Sequence, residues 1–253
     1  MTSTKVTAQR RNAWTSWQAN RLLASLSAVD RALLQTSIEL VNMPFLAVIE
    51  RPNERIAHVY FPTSGLASVV GTTFTEQRIE VGMVGYEGMT GLAVVLGQYQ
   101  STNETVIQAP ATALRIPSVS LRRALRASPS LTASLLRYVH VFMTQASQTA
   151  LAFGRAKLSE RLARWLLMWQ DRLQTPHLTI THEFLALLLG VRRQGVTVAL
   201  HELEGQGFIK GSRNQITIMD RRGLLKLAGG FYGVPEVDYD RTIRGRAHSR
   251  PGA

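Results

Sequence analysis

Residues 181–209 read THEFLALLLGVRRQGVTVALHELEGQGFI, and this stretch decides the architecture. Phe184, Leu185, Leu187, Leu188 and Leu189 form one apolar cluster, and Val196, Ala199, Leu200 and Leu203 form a second, with Gly190 between them. The spacing predicts two short amphipathic helices joined by a glycine turn. Thr181 is placed to cap the first helix, and Glu183 lies in its first turn, where a carboxylate favours the positive helix end. The second helix is expected over about 192–204. Val196, Leu200 and Leu203 repeat at i, i+4 and i+7, so Arg192, Arg193 and Gln194 project from its leading end while its back is anchored. Arg can donate two bonds to guanine O6 and N7, and Gln can pair adenine N6 and N7, so such a helix suits a DNA major groove.

Two short helices alone occur in many proteins; the segment after them narrows the choice. Gly205-Gln206-Gly207 closes the second helix, and residues 208–210 and 215–218 read as two short strands joined by Gly211-Ser212-Arg213-Asn214. A small basic hairpin directly after the second helix is a wing. The residues expected to face DNA are Thr181, Arg192, Arg193, Gln194, Thr197 and His201 on the helices, with Lys210 and Arg213 on the wing.

Composition fits a polyanionic partner. The chain has 253 residues, 45% of them hydrophobic, and a formal net charge of +12. Residues 1–21 hold four basic and no acidic groups, and residues 154–226 hold twelve basic against six acidic. The excess lies on the N-terminal tail and on the helix-turn-helix segment, where DNA would be met. No apolar run has membrane-spanning or signal-peptide character, so a cytoplasmic protein without membrane contact is expected. With no cysteine, disulfides, thiol catalysis, cysteine-ligated zinc and iron–sulfur clusters are excluded. No cofactor is expected.

Along the chain, residues 1–20 read as a flexible basic tail and residues 21–40 have helical spacing. Short β-rich pieces come next at 45–50, 56–61, 66–73, 78–84, 104–108 and 113–116, separated by Gly, Pro and Asn turns; they suggest a small antiparallel barrel or roll. Residues 120–127 form a short basic helix. Residues 130–153 read as one long helix with two apolar stripes, one through Leu131, Leu135, Tyr138 and Phe142, the other through Leu136, Val139 and Met143. A helix apolar on two sides needs two partners, which points to the roll and to the same helix of a second subunit. Leu131, Leu135, Tyr138, Val139, Phe142 and Met143 are the expected dimer-helix residues, and Gly154 marks the hinge. Trp165 and Trp169 support the helix-turn-helix by packing. The resulting division is tail 1–20, roll with flanking helices 21–128, dimerisation helix 129–153, winged helix-turn-helix 154–228, and a loose tail 229–253. The fold class is α+β.

This order resembles the Crp/Fnr family of bacterial transcription regulators over about residues 22–228. The resemblance rests on Val59-Tyr60-Phe61-Pro62 with Gly65, residues 84–92 (VGYEGMTGL), residues 160–166 (ERLARWL), Leu189-Gly190-Val191-Arg192-Arg193, and Gly207-Phe208-Ile209. It implies a cyclic-nucleotide-binding-like β-roll, a homodimer on double-stranded DNA and RNA polymerase as a further partner, with the roll either sensing a small-molecule effector of open identity or acting independently of any ligand. Arg193 and Gln194 fall where the family's base-reading Arg and Glu lie, and Val198 falls where cyclic-AMP-type members carry a second reading Arg. A different half-site is implied. The effector pocket is expected at Gly85, Glu87, Gly88, Gly91, Leu92, Asn103 and Glu104. There the chain departs from the nucleotide-binding members: Leu92 stands in place of the ribose-binding Glu, and Asn103-Glu104 in place of the phosphate-neutralising Arg-Ser. A carboxylate facing a phosphodiester without a cation is repulsive, so Glu104 argues against cAMP. His58 and His140 are single histidines on structural segments and are not read as haem ligands.

The competing class is a small-molecule-binding or scaffold protein whose winged helix mediates protein contacts. Catalysis is not expected. His182-Glu183 begins a zinc-protease HExxH motif, but Ala186 stands where the second His is required. No Ser/His/Asp or paired-carboxylate constellation is legible.

Overall fold

A computed structural model describes residues 16–245. After a 3-10 turn at Trp17–Ala19 come α1 (Arg21–Ser25) and α2 (Ala28–Gln35), then β1 (Glu39–Met43), β2 (Val48–Glu50), β3 (His58–Pro62), β4 (Leu66–Thr72) and β5 (Arg78–Val84). The short helix α3 (Leu92–Val95) precedes β6 (Glu104–Ala109) and β7 (Ala111–Pro117). These strands form two antiparallel sheets, ordered β1-β7-β3 and β2-β6-β4-β5, which is the expected roll. The helical spacing over 21–40 resolves into two helices, because the Ser27 side chain caps α2 by accepting the Asp30 N–H at 3.1 Å and Leu26 is extended.

Next come α4 (Ser118–Ala127) and the long helix α5 (Pro129–Arg155). Ser128 caps α5, accepting the Leu131 N–H at 3.1 Å, and Pro129 occupies a first-turn position where its missing N–H costs nothing. At 27 residues, α5 is about 40 Å long. It continues through Gly154. The break falls instead at Ala156, whose backbone is extended, and Lys157, whose N–H is taken by the Glu160 carboxylate at 2.7 Å to start α6 (Leu158–Leu173). The expected hinge at Gly154 is therefore displaced: a single glycine lowers helix propensity without ending the helix, whereas the cap at Lys157 restarts it.

The C-terminal half is β8 (His177–Thr179), α7 (His182–Leu188), α8 (Arg193–Gly205), β9 (Ile209–Ser212), β10 (Gln215–Ile218) and α9 (Arg221–Leu227). Its wing is a three-stranded antiparallel sheet, β8-β10-β9. One hydrophobic core collects the buried faces of α6, α7 and α8 and extends to Leu66 and Met83 of the roll, so the helix-turn-helix unit is seated on the roll of its own chain. A final helix, α10 (Val234–Arg244), contradicts the expected loose tail beyond residue 229. The Glu236 carboxylate accepts the Gly233 N–H at 3.1 Å at its start, and Tyr239 is buried with its hydroxyl donating to Glu87 O at 2.8 Å. One local anchor and one distant one thus hold a sequence whose composition is polar. The expected tail 1–20 lies largely outside the described residues. No described helix is long and apolar enough to cross a membrane.

Candidate nucleic-acid interface and ligand cavities

Thr181 caps α7 as expected, its Oγ1 accepting the Phe184 N–H at 3.1 Å. The turn between the helices passes through Gly190 at φ +61, a left-handed conformation that favours glycine. On α8, Val196, Ala199, Leu200 and Leu203 are buried, while Arg192, Arg193, Gln194 and His201 are exposed. Thr197 is half-buried and spends its hydroxyl locally, donating to Arg193 O at 3.2 Å and lying 3.1 Å from His182 Nδ1. Lys210 and Arg213 are exposed on the wing, which is braced to α8 by the Glu204 carboxylate accepting the Gly211 N–H at 2.9 Å. A groove of about 550 Å³ between α7, α8 and the wing gathers Thr181, Arg193, His201 and Arg213. Arg192, Gln194, Thr197 and Lys210 lie outside that groove's lining.

The seat of α6 on the roll is polar at its centre. Trp165 and Trp169 stack with centroids 5.3 Å apart, and both indoles are buried. The Trp165 Nε1–H donates to Glu80 Oε1 at 2.9 Å, and the Trp169 Nε1–H donates to Gln108 Oε1 at 3.3 Å. Glu80 also accepts from Ser68 and from Gln108 Nε2, the latter at 3.1 Å. Burial pushes the Glu80 carboxyl up to about 7, against the opposing pull of Ser68, Trp165 and the Arg172 and Arg164 guanidiniums. The tryptophans therefore pack as expected and also fasten α6 to the roll, a role the sequence did not reveal.

The expected effector residues divide between two places. Gly91, Leu92 and Asn103 line a cavity of about 270 Å³ inside the roll, together with Glu50, Thr90 and Phe142 of the long helix. Glu50 Oε1 accepts the Gly91 N–H at 2.7 Å, and burial raises its pKa. No described residue lining this cavity is a cation. Glu104 is outside the lining, and it is not uncompensated as expected, because Arg78 of β5 pairs with it across the intervening β4. Gly85, Glu87 and Gly88 face elsewhere. A Cβ at Gly88 would lie 1.8 Å from the Tyr138 hydroxyl oxygen, and one at Gly85 would lie 2.9 Å from the Arg172 stem. These glycines admit side chains from α5 and α6, and Glu87 Oε1 meets Arg172 Nε at 2.8 Å.

The long helix turns most of its expected dimer residues inward. Leu131, Leu135, Tyr138 and Val139 are buried in the chain's own core and Phe142 is half-buried. Gln145 bonds both polar groups of Met83 in β5, accepting its N–H at 2.6 Å and donating to its carbonyl at 3.2 Å. Met143 is 61% exposed and Leu136 41% exposed. With His140, Ser147, Ala150 and Gly154, also exposed, they form a stripe at alternating three- and four-residue spacing.

An antiparallel roll joined through a long helix to a winged helix-turn-helix with an exposed basic leading end defines the architecture. Residues 160–227 match the model of the Crp-like helix-turn-helix domain. A Crp/Fnr family regulator from Eubacterium rectale superposes with a TM-score of 0.66 at 20% identity, covering 83% of this chain and 98% of its own. FixK2 from Bradyrhizobium japonicum gives 0.66 at 18% identity, covering 75% and 96%. The c-di-GMP-responsive global regulator CLP from Xanthomonas campestris gives 0.64 at 14% identity, covering 77% and 100%. No curated protein sequence matches the chain. The fold is that of the Crp/Fnr family transcriptional regulators, and residues 160–227 are its Crp-like helix-turn-helix domain.

Proposed function

We propose that the protein is a homodimeric, sequence-specific DNA-binding transcription regulator acting in the cytoplasm. The observation that carries this reading is the exposure of Arg193 and Gln194 at the leading end of a helix whose back is buried. Arg193 and Gln194 read bases, and Lys210 and Arg213 meet phosphates from the wing. The Leu136, Met143 and Ala150 stripe forms the seam with the partner's long helix, which sets the two recognition helices one helical turn of DNA apart. The roll cavity supports an effector other than a cyclic phosphodiester: Glu50 is its one lining carboxylate among the described residues, and no described lining cation offsets a phosphate. RNA polymerase as a partner rests on the family resemblance alone.

The test is selection from random duplex DNA by the full chain at near-physiological salt, without added ligand and then with cell extract. A two-fold symmetric site with half-sites about 10 base pairs apart is expected. Salt-sensitive, sequence-independent binding under both conditions would refute the base-reading assignment.

A further inference from the structure

A second cavity, about 290 Å³, lies where the turn after β5, the long helix, α6 and α10 meet. Phe142 is the only residue shared by the described linings of this cavity and the roll cavity. Four lining carboxylates, Glu87, Asp171, Glu236 and Asp240, face two guanidiniums, Arg21 and Arg172. Four tyrosines complete much of the wall.

The guanidiniums are already engaged. Arg172, 8% exposed, lies against Glu87 and donates from Nη1 to Met168 O at 3.0 Å, while Arg21 sits 4.6 Å above the Tyr86 ring. Hydrogen-bonding capacity is nonetheless unspent in the buried pair: Glu87 Oε2 has no hydrogen-bond partner, and Arg172 Nε, though in charge contact, is not aligned for one. Glu236 uses one oxygen to hold the start of α10. Asp171 is taken by Arg221 at 2.7 Å, so the unpartnered acceptor open to a guest is Glu87 Oε2, and a buried acceptor left without a donor is costly. Arg21 and Arg221 already sit over the Tyr86 and Tyr232 rings, so the tyrosines offer a guest apolar walls for its carbon body.

We propose that this cavity is a binding site for a small protonated organic amine, whose ammonium donates to the Glu87 and Glu236 carboxylates and whose carbon body packs on the tyrosine rings. Charge-assisted N–H···O bonds supply the directionality and the rings supply the apolar contact. The volume suits a molecule of amino-acid size. Such a guest touches the roll, the long helix, α6 and α10 at once.

The experiment is isothermal titration calorimetry of the full chain at near-physiological salt with 2-phenylethylamine and 1,4-diaminobutane, against 3-phenylpropanoate and butanoate as anions of similar size. At least one amine is expected to bind with a Kd below about 1 mM, with neither carboxylate binding. Glu236→Gln keeps an oxygen for the Gly233 N–H and removes the charge; it should weaken amine binding about tenfold. Tyr86→Leu, a second variant that leaves every carboxylate in place, should weaken it several-fold. Leu92→Phe, in the roll cavity, should leave it unchanged. Binding of the carboxylates alone, no amine binding at about 10 mM, or amine binding undiminished in both Glu236→Gln and Tyr86→Leu would each overturn the proposal.

Discussion

Replacing Glu80 by Gln separates the charge of the buried junction from its shape. The carboxyl has an ordinary value of 4.5 and is held at about 7 in the fold. At about 1.4 kcal/mol per tenfold change, the folded protein favours the protonated form by about 3 kcal/mol. Since the folded value is the raised one, this stability is fully present below pH 4.5 and is lost as pH rises to about 7, beyond which the loss is complete. Gln keeps an oxygen for the Trp165 N–H and does not titrate. Its amide nitrogen would meet Gln108 Nε2, a donor, so one hydrogen bond is lost at a cost of about 1 kcal/mol. The variant should therefore be the less stable protein in acid and the more stable one, by about 2 kcal/mol, above pH 7, with the two curves crossing a little above pH 5. For a chain of this length that corresponds to roughly 5 °C in Tm at pH 8. The assay is thermal and urea unfolding of both proteins followed by far-UV circular dichroism from pH 4.5 to 8, using the difference between them so that other titrating groups cancel. Parallel profiles, with no crossing, would refute a titrating Glu80.

The remaining predictions concern DNA and assembly. Arg193→Ala should cost about 1–3 kcal/mol at one base position and relax preference there; unchanged selection at every position would remove its base-reading role. Arg213→Ala should weaken binding to all duplexes alike and reduce the slope of log K against log salt by about one, measured by fluorescence anisotropy at several salt concentrations. Met143→Glu, on the exposed stripe, should give monomers by sedimentation with poor DNA binding, and a dimer that survives both this change and Leu136→Glu would place the seam elsewhere. Leu135→Glu, by contrast, should unfold the roll rather than dissociate subunits, because Leu135 is buried in the protomer's own core.

How far the sequence carried depended on whether a signal was local. The caps, the glycine turn and the 3.6-residue spacing around 181–209 are local, and the structure places α7, α8 and the wing there. The long helix was legible as two-sided, but periodicity does not say which side meets another chain; Leu135 and Tyr138 look no different from Met143 until the roll is present. Glu80 was hidden for a different reason. In Arg78-Ile79-Glu80-Val81-Gly82-Met83-Val84 strict alternation sets Glu80 opposite Met83. The pairing of β4 with β5 skips Val81, however, and this bulge brings Glu80 to the same buried side as Met83. The split of the expected effector residues has a similar origin, since Gly85 and Gly88 are explained by Arg172 and Tyr138, which are distant in sequence. The helix α10 carried a start signal in Gly233, Pro235 and Glu236, yet its few apolar residues left no periodic stripe to trace.

The paired indoles of α6 give the molecule a built-in optical reporter. Two of the chain's four tryptophans sit in the seam between roll and helix-turn-helix, each with its N–H committed to an acceptor on the roll. Swinging the DNA-reading half away would transfer both rings to water together, shifting their emission to longer wavelength and breaking the excitonic coupling of rings 5.3 Å apart. Motion between the two halves could thus be tracked without a dye, in the same cuvette as the DNA titration.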